Sequence, residues 1–117
     1  MREKFIRNIF YYKSYYLDFF NTLNDGVKKR FNWTLKLIAI VERVPVKYFK
    51  HIESSTGLYE IRVEVRSNIF RVFSFFDKGH LVILINGFQK KSQKIPRKEI
   101  ELAEKLKKEY FNEKNNK

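Results

Sequence analysis

Apolar and polar positions along the 117-residue chain change period several times, and each change marks an element. The first run, Lys4–Tyr12 (KFIRNIFYY), is dense in aromatic and β-branched residues and predicts an opening strand. Ser14 then stands where it can cap a short helix with a stripe of Tyr15, Tyr16, Phe19, Phe20 and Leu23. Asn24-Asp25-Gly26 breaks that helix. Asp25 can cap a longer one, from Val27 to about Val44, with Val27, Phe31, Thr34, Leu35, Ile38 and Val41 at helical spacing. Lys28, Lys29, Arg30, Lys36 and Glu42 fall largely on its other side, and Pro45 ends it. The pair reads as an αα-hairpin.

Val46 to Thr56 has no clear period. Three strand-like runs follow Gly57. Leu58–Arg66 alternates, with Leu58, Glu60, Arg62, Glu64 and Arg66 on one face and Tyr59, Ile61, Val63 and Val65 on the other. Ser67-Asn68 signals a turn, then Ile69–Phe76 alternates in its turn, with Arg71 set among aromatics. After Asp77-Lys78-Gly79, His80–Phe88 is nearly all apolar, which predicts a strand buried on both faces. Pro96 suits the first turn of a last helix striped by Ile100, Ala103, Leu106 and Tyr110, and Asn112–Lys117 is expected to fray. The order β-α-α-β-β-β-α predicts an α+β domain spanning 1–117. Its small antiparallel sheet is an N-terminal strand plus a three-strand meander, packed by the αα-hairpin and the C-terminal helix.

Composition changes this picture in two ways. There is no Cys and there are only two His, which removes disulfides and thiolate chemistry and argues against a structural zinc site. Charge is +12, and it is uneven. Residues 1–50 carry eleven basic and four acidic side chains, residues 51–89 four of each, and residues 90–117 ten and five. A neutral β-rich middle thus sits between basic flanks, and three of the four cations in that middle are arginines, suited to planar phosphate recognition. The expected partner is anionic. No run approaches a membrane span, and Met1–Phe10 lacks the apolar core of a secretory signal, so a cytoplasmic protein without membrane contact is expected.

The string from Gly57 to about Ala103 carries a family likeness: GLYEIR in one strand, FRV before aromatics in the next, GF closing the third, then KKSQKIP. It resembles the RelE superfamily of toxins from bacterial type II toxin–antitoxin systems, in particular its phage-derived HigB-like branch. The resemblance implies a RelE-like fold and binding in the ribosomal A site. It also implies cleavage of translated mRNA by attack of a ribose 2′-OH on the adjacent phosphate, without metal or other cofactor. It implies a cognate antitoxin, of helix-turn-helix (HigA-like) type, as partner beside ribosome and mRNA. Two alternatives stand beside it: a gyrase-inhibiting toxin of the ParE type, which shares the fold, and a basic nucleic-acid-binding module without catalysis.

Such cleavage needs a base, cations for the phosphorane and an acid for the leaving 5′-oxygen. Candidate catalytic residues are Arg62, Arg71, Lys90, Lys91 and His51; candidate RNA contacts are Lys50, Lys94, Phe73 and Phe88. Arg71, flanked by Phe70, Val72 and Phe73, must reach water, a carboxylate or a phosphate. The bland reading of Arg71 is a salt bridge to Glu60 or Glu64, that of Arg62 a solvated strand face, and that of Lys90, Lys91 and Lys94 a solvated loop. His51 has the side chain for proton transfer near neutral pH, or is a loop histidine; His80 reads as structural. Glu60 is a base or an ion-pair partner. Phe73 and Phe88 can stack on splayed bases, while Trp33 belongs to the core or to an antitoxin interface. Many relatives have a late tyrosine as an acid–base group; here Ile95 and Pro96 occupy that region, and Tyr110 reads as helix packing.

Overall fold

The computed structural model describes residues 4–90 and 94–116. The predicted meander is present as β3 (Leu58–Val65), β4 (Asn68–Asp77) and β5 (Leu81–Lys90), each antiparallel to the next. The N-terminal strand is shorter than its aromatic run: β1 covers Asn8–Tyr11 and pairs in parallel with β5, so the sheet is mixed. A three-residue strand, β2 (Phe49–His51), lies in the segment without clear period and pairs antiparallel with β3. The sheet order is β1-β5-β4-β3-β2, which puts β4 at the centre and β5 between two neighbours, as its apolar sequence demands.

Helices cover both faces. On one, α1 (Tyr15–Phe20) and α2 (Asp25–Ile40) bury Tyr16, Val27, Phe31 and Ile38 against Ile61, Val63, Val72, Val82 and Leu84. On the other, α3 (Arg97–Asn115) buries Ala103 and Leu106 against Leu58, Phe73, Phe75, Ile83 and Ile85. Val82 and Leu84 thus serve one core and Ile83 and Ile85 the other, the period-2 signature of a strand dry on both sides. α3 runs to Asn115, beyond the predicted start of fraying. None of the described helices is long and apolar enough to cross a membrane.

The helix ends differ from expectation for identifiable reasons. Asn24, not Asp25, caps α2, accepting from the Val27 N–H at 2.9 Å. Asp25 falls in the first turn, where its charge suits the helix dipole. Ser14 occupies the N-cap of α1, but its hydroxyl donates to the Asp18 carboxylate instead of accepting from the backbone. α2 stops at Ile40, well before Pro45. The chain entering β1 crosses that end: the Ile6 and Arg7 N–H groups donate to the Ala39 carbonyl, and the Arg7 guanidinium to the carbonyls of Ile38, Val41 and Glu42. A tertiary contact thus satisfies the carbonyls that a longer helix would have used.

Two local devices set the shape around the sheet. Between Val72 and Ser74 the β4–β5 ladder has an irregularity, and on β5 it turns both Ile85 and Asn86 toward α3. Asn86 then donates to the carbonyl and the carboxylate of Glu99 at the start of α3. Next to it, Gly87 faces the Phe19 ring so closely that a Cβ would sit 2.4 Å from it. At the far end of α3, buried Asp77 accepts from the Tyr110 hydroxyl at 2.6 Å and from the Lys114 ammonium at 2.7 Å. The Lys114 bond, followed by the Tyr110 bond, holds the Asp77 carboxyl below its usual 3.8. A depressed folded-state value means that the stabilisation is complete above the unfolded value and drains away as pH falls through the folded one. We therefore expect wild-type stability to fall as pH drops below 3.8, and Asp77→Asn to be less stable at neutral pH and to lose less on acidification. Urea midpoints at neutral pH and at about pH 3 check this; parallel pH profiles for the two proteins would refute it.

Candidate functional site

α3 covers its face of the sheet from Asn86 to Asp77, and among the described residues no helix covers the other end of the meander on that face. The register places the charged residues of that end in successive rungs. Lys50, Glu60 and Phe73 share one rung; Arg62, Arg71 and Phe88 share the next; Glu64, Ile69 and Lys90 share the third. All project to one face, because partners across a ladder point the same way and every second residue repeats the face. Rungs are roughly 7 Å apart along the strands, so Arg71 on central β4 has Glu60 and Lys90 as its diagonal neighbours on the two flanking strands.

Ion pairs and charge effects follow from this proximity. The Arg71 guanidinium is buried and bonded to the equally buried Glu60 carboxylate. Arg62, one-third exposed, pairs with Glu64 at 3.1 Å. Burial, and next the positive charge of Arg71, hold the Lys90 ammonium below its usual range, with Arg62 acting in the same direction and Glu60 opposing. The two guanidiniums stand at directly opposed positions, an arrangement that like charges disfavour. The Nε–H groups of both are buried and have no hydrogen-bond acceptor among the described residues. Two buried donors without an acceptor among the described residues and a partly desolvated ammonium thus belong to neighbouring rungs of one sheet face.

The other candidates are placed as follows. Lys50 stands across β3 from Glu60 and joins the patch, delivered by the short β2. Its signal was the alternation around inward-facing Phe49, too short to read as a strand. His51, one residue on, falls on the opposite face, edge-on to Tyr59 among Phe49 and Phe76, so it is not brought to the patch. Phe73 is completely buried and forms the floor beneath Phe88, at a ring separation of 5.3 Å; it has no surface for a base. Phe88 is half-buried in the Arg71 rung and keeps an exposed part. Lys94 is exposed just before Ile95, which packs on the α3 core. Lys91 lies outside the described residues. Among the described residues, no three His, Asp or Glu side chains cluster as a metal-binding set.

A meander with a helical hairpin on one face, one long helix on part of the other and cations on the remainder defines a small α+β protein of the RelE-like class. Among solved structures, E. coli toxin RelE, in the free state and with two arginines replaced by alanine, is similar with a TM-score of 0.53 and 16% identity, over 70% of this chain and 81% of that one. The chain belongs to the family of phage-derived Gp49-like proteins, whose model matches residues 18–108. No curated protein matches it significantly.

Proposed function

We propose that the chain is the toxin of a type II toxin–antitoxin system and acts in the cytoplasm as an endoribonuclease on mRNA held in the ribosomal A site. The family, the RelE-like fold and the resemblance of the Gly57–Ala103 motifs support the toxin reading. The observation that carries the chemistry is the opposed Arg62–Arg71 pair, with both Nε–H donors lacking an acceptor among the described residues, next to Lys90. The ribose 2′-OH gives its proton to a water molecule as its oxygen attacks phosphorus, the bond to the 5′-oxygen breaks, and the products are a 2′,3′-cyclic phosphate and a 5′-hydroxyl. Negative charge grows on the phosphorane oxygens, where the two guanidiniums donate. Lys90, whose proton is loosened by burial and by Arg71, delivers it to the leaving 5′-oxygen. Glu60 holds Arg71 in place. Lys50, Lys91 and Lys94 contact the RNA backbone and Phe88 stacks on a base. The partner that masks this basic patch is an acidic helix-turn-helix antitoxin.

The test is induction in growing cells followed by primer-extension mapping of mRNA ends. New ends should lie within codons of translated messages and vanish from a transcript whose start codon has been removed. Equal cutting of naked RNA by the purified protein would sink the ribosome-dependent mechanism. Loss of supercoiling with intact mRNA would instead place the chain among gyrase poisons.

A further inference from the structure

A second basic feature lies around the edge of the sheet from this patch. A cavity of about 300 Å³ is lined by Arg30 and Thr34 of α2, Lys47 and Tyr48 ahead of β2, and Arg62, Val63, Glu64 and Arg66 of β3 and its turn. Four of these side chains are cations and one is an acid, so the cavity selects anions. β2 leaves this edge open: Tyr48 accepts from the Arg62 N–H, and from there to Val65 the edge of β3 away from β4 has no strand partner among the described residues.

Three observations distinguish the cavity from a random basic surface. First, rings hold two of its cations. The Arg30 guanidinium lies 4.5 Å from the Trp33 ring centre, Trp33 meets Tyr48 edge-on at 5.5 Å, and the Lys47 ammonium lies 4.9 Å from the Tyr48 ring. Trp33 is 44% exposed and belongs to neither core, so part of its ring is open to solvent next to the Arg30 and Tyr48 that line the cavity. Second, Arg66 is the first residue of the two-residue β3–β4 turn and has a φ of +59°. That conformation is relaxed for glycine or asparagine and strained for arginine, so a cation stands where the backbone favours a small residue. Third, Arg62 belongs both to the cavity wall and to the Arg71 rung, and its buried Nε–H has no acceptor among the described residues.

We propose that this cavity is a phosphate subsite for single-stranded RNA. Arg30, Lys47 and Arg66 hold one phosphodiester of the strand that crosses the sheet face, next to the one that Arg62 contacts, and Trp33 stacks the adjoining base. The inference rests on the sheet face receiving RNA, and Arg62 is the link between the two. A nucleic acid fits better than an acidic peptide, because the cations are arrayed beside the partly exposed Trp33 ring, which a base can cover.

Trp33 is the sole tryptophan, so its fluorescence reports stacking on its ring directly. The probe is a short 2′-O-methyl RNA, which lacks the attacking hydroxyl, titrated into the full-length protein. It should quench Trp33. Arg30→Gln with Arg66→Asn, the latter suited to the turn, should weaken binding about tenfold near physiological salt and lower the slope of log affinity against log salt by roughly 0.7, one phosphate contact. Unchanged affinity and slope in that variant would overturn the subsite. The same holds for RNA binding without any quench, even where Lys90-dependent cleavage is intact and the sheet-face reading survives. Quenching by poly-glutamate but not by RNA would assign the cavity to an acidic protein and overturn the proposal as well. Quenching that persists in an inactive wild type would support the subsite and remove the cleavage reading alone.

Discussion

Lys90→Met should abolish growth arrest and lower single-turnover cleavage on programmed ribosomes by about 10²–10³-fold, the usual loss when one group that stabilises a transition state is removed. The fold should not suffer. Lys90 ends β5 at the margin of the patch, half-buried, and no salt bridge among the described residues depends on it. Its ammonium sits in the field of Arg71 and Arg62, so its removal relieves repulsion. The urea midpoint should therefore hold or rise. A proton donor also leaves a mark on the pH profile. Because burial and Arg71 hold Lys90 below its usual 10.5, activity should fall as pH rises through that lowered value. Lys90→Arg keeps the charge but holds its proton far more tightly, so it should be slow and should lack that alkaline limb. Full activity in Lys90→Met would remove Lys90 from the chemistry. An alkaline limb that persists in Lys90→Arg would show that another group supplies the proton.

What could be read beforehand was whatever one element decides by itself. The alternation in Leu58–Val65 and the unbroken apolar run of β5 announced the meander, since a one-residue slip would have put every side chain on the wrong face. The stripe Val27–Phe31–Thr34–Ile38 announced which side of α2 is buried. What could not be read depends on partners far along the chain. The direction of β1 is set by β5, some seventy residues later, and no local feature of Asn8–Tyr11 distinguishes a parallel from an antiparallel neighbour. The end of α2 is set by Arg7, more than thirty residues before it. At the site, the fate of neighbouring residues turned on register. Lys50 and His51 are adjacent, yet one faces Arg71 and the other Tyr59. Phe73 and Phe88 are both strand aromatics on the same face. Only the packing of the α3-side core decides that the first is sealed and the second keeps an exposed part.

Arg71 is the residue whose sequence signal was sharpest, and its two readings make opposite claims about a double substitution. Arg71→Met alone should cost about 3–5 kcal/mol, because it strands the buried Glu60 carboxylate without its partner. Glu60→Met alone should cost a similar amount by leaving a buried guanidinium beside Lys90. The double variant replaces both charges with apolar side chains of comparable length in a site floored by Phe73 and Phe88, and should recover most of that loss. Urea unfolding of the four proteins closes the cycle, and a coupling energy near zero would contradict the buried pair. Activity then separates structure from chemistry. A guanidinium that stabilises the phosphorane cannot be replaced by a thioether, so the double variant should be folded and still slower by about 10²-fold or more. Cleavage that returned with the fold would make Arg71 a structural ion pair only. Arg62 and Lys90 would then have to carry the phosphorane charge, with the Arg62 Nε–H as the donor left for a phosphate oxygen.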